Sequence, residues 1–136
     1  MHSTNYTNSF IEVAEDCPAS AGEVPPIKGS KKSVASLQFE MVAESPYQYT
    51  SDDVLFTVWA TRKEIPEGEL AEAREVYFSK GQPCFRASPL AKRYGWGVHS
   101  DSEGRIAIYG VGSDEYAEFV ADESLKKVKA MRSKRK

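Results

Sequence analysis

At 136 residues the chain has the length of one domain, since domains ordinarily run about 100–200 residues. Hydrophobic residues make up 40% and charged residues 28%, an ordinary globular composition with no apolar run near the roughly 18 residues of a membrane span. Two cysteines are too few for a disulfide framework, and the polar start Met1-His2-Ser3-Thr4-Asn5-Tyr6 carries no signal-peptide pattern, so a cytoplasmic protein without a membrane partner is expected.

Residues 1–9 read as a flexible lead. Phe10-Ile11-Glu12-Val13-Ala14 predicts a short, partly buried strand. Residues 15–32 hold Cys17-Pro18, Gly22, Pro25-Pro26 and Gly29, which predicts a long connection. Ser33 is placed to cap a helix to about Ser45, with Val34, Leu37 and Met41 on one stripe. Val54 to Thr61 is rich in β-branched and aromatic residues and apolar on both sides, which predicts a central strand; a helix starting at Asp53 is the competing reading. Pro66 opens a predicted helix to Lys80, with Gly81 as its C-cap and Leu70, Ala73 and Tyr77 as its buried stripe. Ser88-Pro89 starts a short helical turn.

A hairpin follows, from Tyr94 to His99 and from Arg105 to Tyr109, with Gly104 supplying a positive φ at the turn. The expected register sets His99 opposite Arg105, Val98 opposite Ile106 and Trp96 opposite Ile108. Ser113 is placed to cap a helix carrying Tyr116, Phe119 and Val120. Asp122 is expected to start a second, basic helix with Leu125, Val128 and Met131 on one side. Residues 126–136 hold seven bases and no acid; residues 1–125 keep eleven bases against all twenty acids, a net of −9. Together these elements predict an α+β fold, a two-layer sandwich in which about four strands pack on about three helices. The predicted organisation is one acidic domain, 1–125, followed by a basic tail, 126–136.

Several residues invite chemistry. In Cys84-Phe85-Arg86 an arginine beside a thiol favours the thiolate, so Cys84, Arg86 and His99 form the catalytic candidate set. The ordinary alternative for Cys84 is a small buried hydrophobe. Lys92-Arg93-Tyr94-Gly95-Trp96-Gly97 mixes bases with aromatics; Arg93 and Tyr94, with Lys129 and Arg132 of the tail, are the ligand-binding candidates. The acidic body weighs against nucleic acid as the partner, because that affinity comes mostly from phosphate neutralisation. Gly110-Val111-Gly112-Ser113 sits where a phosphate could meet a helix N-terminus, but Glu115 stands where the dinucleotide fingerprint needs its third glycine. Asp52 and Asp53 are adjacent carboxylates suited to capping rather than to acid–base catalysis. His2, Cys17, Cys84 and His99 are zinc-ligand types without zinc-ligand spacing, so no metal site and no cofactor is expected. The favoured function is a non-enzymatic binding or accessory module. The alternatives are a thiol-dependent enzyme, a metal carrier and a weak nucleic-acid binder acting through the tail.

Four stretches carry a family likeness. They are Asn5-Tyr6 with Phe10 to Pro18, Tyr49 to Phe56, Cys84 to Leu90 with Lys92 to Gly97, and Lys126 to Arg132. Along nearly its whole length the chain resembles a family of small bacterial cytosolic proteins classed as a domain of unknown function. The resemblance implies a single-domain bacterial protein and brings no catalytic residue. Tyr94-Gly95 followed by Ile106 to Tyr109 is similar to the strand pair of frataxin-like iron-chaperone domains, which implies an α/β sandwich with an acidic, metal-carrying surface.

Overall fold

Phe10 and Ile11 are neighbours on β1 (Ser9–Glu12) and both are buried, because successive strand residues point to opposite faces and both faces here are covered. The computed structural model describes residues 2–27 and 32–133. Its four strands form one mixed sheet in the order β3-β2-β1-β4. β2 (Trp96–Ser100) pairs antiparallel with β1 and with β3 (Ile106–Gly110), and β4 (Lys126–Lys129) runs parallel to β1. The expected α+β class and four-stranded sheet are present.

On one face Ile11 and Val98 join Val42 of α1 (Val34–Glu44), Val54 and Val58 of α2 (Ser51–Arg62) and Leu90 of α4 (Pro89–Lys92) in the main core. On the other face Phe10 meets α5 (Asp114–Ala121), with Tyr116 edge-on at 5.0 Å and Phe119 stacked at 5.1 Å. Gly97 makes that approach possible: a Cβ there would lie 2.5 Å from Phe10 Cζ and 2.7 Å from Tyr116. Three helices start where their caps predict. The hydroxyls of Ser33, Ser88 and Ser113 accept the N–H groups of Ser36, Leu90 and Tyr116.

The segment 54–61 is α2, not a strand. Thr50 accepts the Asp53 N–H while the Asp53 carboxylate accepts the Thr50 N–H, a reciprocal cap that starts the helix. The pattern reads as a two-faced strand because the helix is itself buried on two sides. Val54 and Val58 enter the main core, whereas Phe56 and Ala60 enter a second cluster with Phe78.

The helix expected from Pro66 starts later, as a 3-10 turn, Glu67–Glu69, leading into α3 (Leu70–Tyr77). It ends before Gly81 because Phe78 leaves the helix and buries its ring. Leu70, Ala73 and Tyr77 face inward as predicted, while Val76 is 64% exposed.

The hairpin is shifted by two residues from the expected register: Val98 pairs with Ile108 and His99 with Ala107. Asp101 sets the shift, because its carboxylate accepts the N–H groups of Glu103 and Arg105 and draws Asp101 opposite Arg105. A two-residue shift leaves each side chain on its expected face. Gly104 has its positive φ, +80°.

The basic helix expected from Asp122 is also absent. Asp122 instead accepts the Ser124 N–H and hydroxyl in a turn, and β4 follows. Period-two burial replaces helical spacing: Val128 packs on the core, Ala130 is buried and Met131 is exposed. The first four residues of the basic segment thus belong to the sheet; 134–136 lie outside the described residues. Residues 2–8, expected as a free lead, are tied down. The Asp52 carboxylate accepts from the Ser3 hydroxyl and from the Thr4 N–H and hydroxyl, and the His2 N–H donates to the Phe78 carbonyl. The 15–32 connection lies over the hairpin, with the Trp96 indole donating to the Glu23 carbonyl; its stretch 28–31 is outside the described residues.

Candidate functional site

Cys84 precedes a 3-10 turn, Phe85–Ala87, whose Phe85 is buried in the main core. Its Sγ lies 3.5 Å from the Tyr6 hydroxyl. That hydrogen bond, then burial, raises the pKa of Tyr6, while the Arg86 guanidinium opposes the rise. Arg86 itself bridges to β4: its Nε donates to the Lys129 carbonyl and its own carbonyl accepts the Met131 N–H, both at 2.7 Å. The guanidinium therefore ties this turn to a sheet edge as well as acting on the Tyr6 hydroxyl.

His99 sits mid-strand on the α5 face. Its ring stacks on Phe119 at 4.4 Å. Nδ1 is 2.8 Å from the Tyr47 hydroxyl, which is 2.8 Å from the Tyr109 hydroxyl. Burial lowers the His99 pKa, against the opposing charges of Asp101 and Asp122. Burial, then Tyr109, raises the pKa of Tyr47. Tyr47 reaches this position from a loop along the β3 edge with φ 61°, a left-handed backbone that tyrosine rarely adopts. His99 and Cys84 thus lie on opposite faces of the sheet, and no thiol–imidazole pair forms between them.

The remaining candidates are also dispersed. Arg93 is exposed and Tyr94 packs on the core, both just ahead of β2. Lys129 closes β4, with its ammonium 3.7 Å from Glu15, and Arg132 is exposed beyond it. β1 lies between these two pairs. At Gly110 to Ser113, the Ser113 hydroxyl donates to the Gly110 carbonyl and caps α5, whose first turn holds Asp114 and Glu115. That helix end already has its own cap and two carboxylates. Among the described residues no group of three or more His, Cys, Asp or Glu is positioned to hold a metal ion.

A different place brings side chains together around open space. Between α2 and α3 lies a hollow of about 330 Å³, floored by Phe56, Ala60, Ile65 and Leu70 and rimmed by Thr57, Thr61 and Glu64. Arg74 clasps α3 to α2: its Nη2 donates to Asp53 Oδ1 at 2.9 Å, and its guanidinium lies over the Phe56 and Phe78 rings. The end of α2 shapes the rim. The Glu64 N–H donates to the Thr61 carbonyl and the Ile65 N–H to the Ala60 carbonyl. This is a Schellman closure, which turns Ile65 inward and sets Glu64 at φ 55°.

The chain belongs to DUF6157, a family of unknown function. The family model covers residues 1–136, the whole chain. No curated protein and no solved structure matches it. The family therefore carries no activity to this chain, and the chemistry rests on the geometry of the DUF6157 fold.

Among the described residues that geometry includes two hydrogen-bonded tyrosine clusters on opposite faces and, between α2 and α3, an apolar hollow with a polar rim. The hollow is the feature that sequence reading missed. Its signal was present as two i, i+4 pairs, Phe56 with Ala60 and Thr57 with Thr61, which adjoin on one side of a helix but fall on opposite faces of a strand.

Proposed function

We propose that the protein is a non-enzymatic binding module that takes the apolar part of a small molecule into the α2–α3 hollow. The observation that carries this reading is the hollow's floor: Phe56, Ala60, Ile65 and Leu70 form an apolar surface reached from solvent, outside the main core. Apolar ligand surface buried there gains about 25 cal/mol per Å², and a hollow of this kind is the usual form of a small-molecule site. The separation of Cys84 from His99 supports the reading, since a thiol mechanism needs a base beside the thiol. The free Cys17 and Cys84 suit a reducing compartment. With the sequence resemblance, they support a bacterial cytoplasm as the setting.

The test uses Trp59, whose ring lies 6.0 Å from that of Phe56. The chain has two tryptophans, so Trp96→Phe leaves Trp59 as the sole indole reporter. Titration with 2-phenylethanol is expected to change Trp59 emission saturably. Thr61→Phe, which fills the rim from an exposed helix position, is expected to abolish the change. A response that never saturates, or that is equal in both variants, would overturn the reading. Amide NMR of the wild-type chain checks the same point with the Trp96–Glu23 hydrogen bond intact.

A further inference from the structure

We propose that the hollow selects molecules bearing a cationic head on an apolar body, such as a primary ammonium, and that Glu64 is the residue that recognises the head. This rests on the binding reading above. Three observations meet at Glu64. It lines the hollow, where the other polar rim groups are the neutral hydroxyls of Thr57 and Thr61. Its carboxylate has no basic partner among the described residues; Arg62 and Lys63 precede it in the chain but do not line the hollow. The neighbouring turn, Glu67–Glu69, adds two more carboxylates and no base.

The third observation is the backbone. Glu64 stands at φ 55°, at the one position of a Schellman closure where glycine is strain-free and a side chain is not. A glycine would close α2 without that strain. A residue held against its backbone preference on the rim of an open site is a pointer to function. The rest of the fit follows from donor counts. A primary ammonium has three N–H donors, and the rim offers one carboxylate and two hydroxyl oxygens to accept them. The apolar body then lies on Phe56 and Leu70.

Paired titrations of the full chain with 2-phenylethylammonium and 2-phenylethanol test this, since the probes share a body and differ in the head. Trp59 emission in Trp96→Phe and amide shifts in the wild-type chain are the readouts. At low salt the ammonium is expected to bind about threefold to fivefold tighter, the range of an exposed charge pair. The preference should vanish in Glu64→Gln, the two probes then binding equally, and it should shrink in about 1 M salt. Glu64→Gly should lose the preference too, yet raise Tm by about 3–5 °C as the backbone strain is relieved. Equal affinity for both probes in the wild-type chain would overturn the role of Glu64 and leave the binding reading standing. Saturable binding of neither probe would overturn both. A dimer that seals the hollow and is dispersed by Thr61→Phe would also overturn the small-ligand assignment.

Discussion

Val54 and Val58 project from one side of α2 into a core where Leu90 is 0% exposed and Val98 and Ile106 are buried. Phe56 and Ala60 project from the other side into a cluster where only Phe78 joins them in full burial. Its remaining members, Trp59, Ile65, Leu70, Ala73 and Tyr77, are half-buried, and α3 has no buried residue at all. One helix thus serves two environments. The inner side is packed to fix the fold, and the outer side stays open at the edge of a thin layer. Sites that must admit a ligand are drawn from such regions, where local opening costs less than global unfolding.

Substitutions on the two sides should separate these roles. Leu90→Ala should cost about 3–5 kcal/mol, because the main core leaves no room to collapse around the lost methyls. Leu70→Ala, on the hollow's floor, should cost about 1–2 kcal/mol. Urea unfolding with unchanged m-values measures both; equal costs would erase the distinction. Next in size is the clasp and cap of α2. Thr50→Ala should cost about 1 kcal/mol by removing one half of the reciprocal cap. Hydrogen exchange should then show α3 amides, held by Arg74 and few other contacts, exchanging well before those of α2.

Glu64→Gly should stabilise the protein by about 1 kcal/mol, the reverse sign of an ordinary rim substitution. The smallest effect concerns the opposite sheet face. His99 has its pKa lowered in the fold, facing Tyr47, Tyr109, Asp101 and Asp122. A depressed histidine favours the folded state above its unfolded pKa, about 6.5, and that stability is lost as pH falls toward the folded value. Unfolding free energy should therefore decline between about pH 7 and pH 5, and His99→Gln should flatten that part of the profile.

Elements closed by their own neighbours were legible in the sequence. Ser33, Ser88-Pro89 and Ser113 start the helices expected of them, because each cap is satisfied within three residues. The hairpin was legible as an element, and its register was missed by one carboxylate, Asp101. What depended on distant partners was hidden. α2 has apolar residues on both sides because it lies between two clusters, one of them built by residues 65–78. β4 looks like a solvated basic run until Ser9 to Glu12 is set beside it. The site followed the same rule. Cys84 and His99 were found as residues, but their separation by the sheet is a tertiary fact. The hollow needed α2 as a helix before it could be seen, and the left-handed turn at Glu64 gave no warning because no glycine marks it.

The strand order also bears on how this chain is made. β1 lies between β2 and β4, and both partners are encoded far downstream. During synthesis at about 5–20 residues per second, the Phe10-Ile11 strand leaves the ribosome with both hydrogen-bonding edges empty and stays so for several seconds at least. Its second edge is filled only when Lys126 to Lys129 emerges. Early protection of that apolar strand falls to whatever the nascent chain meets outside the exit tunnel, and a ribosome stalled before β4 releases a protein with an open sheet edge.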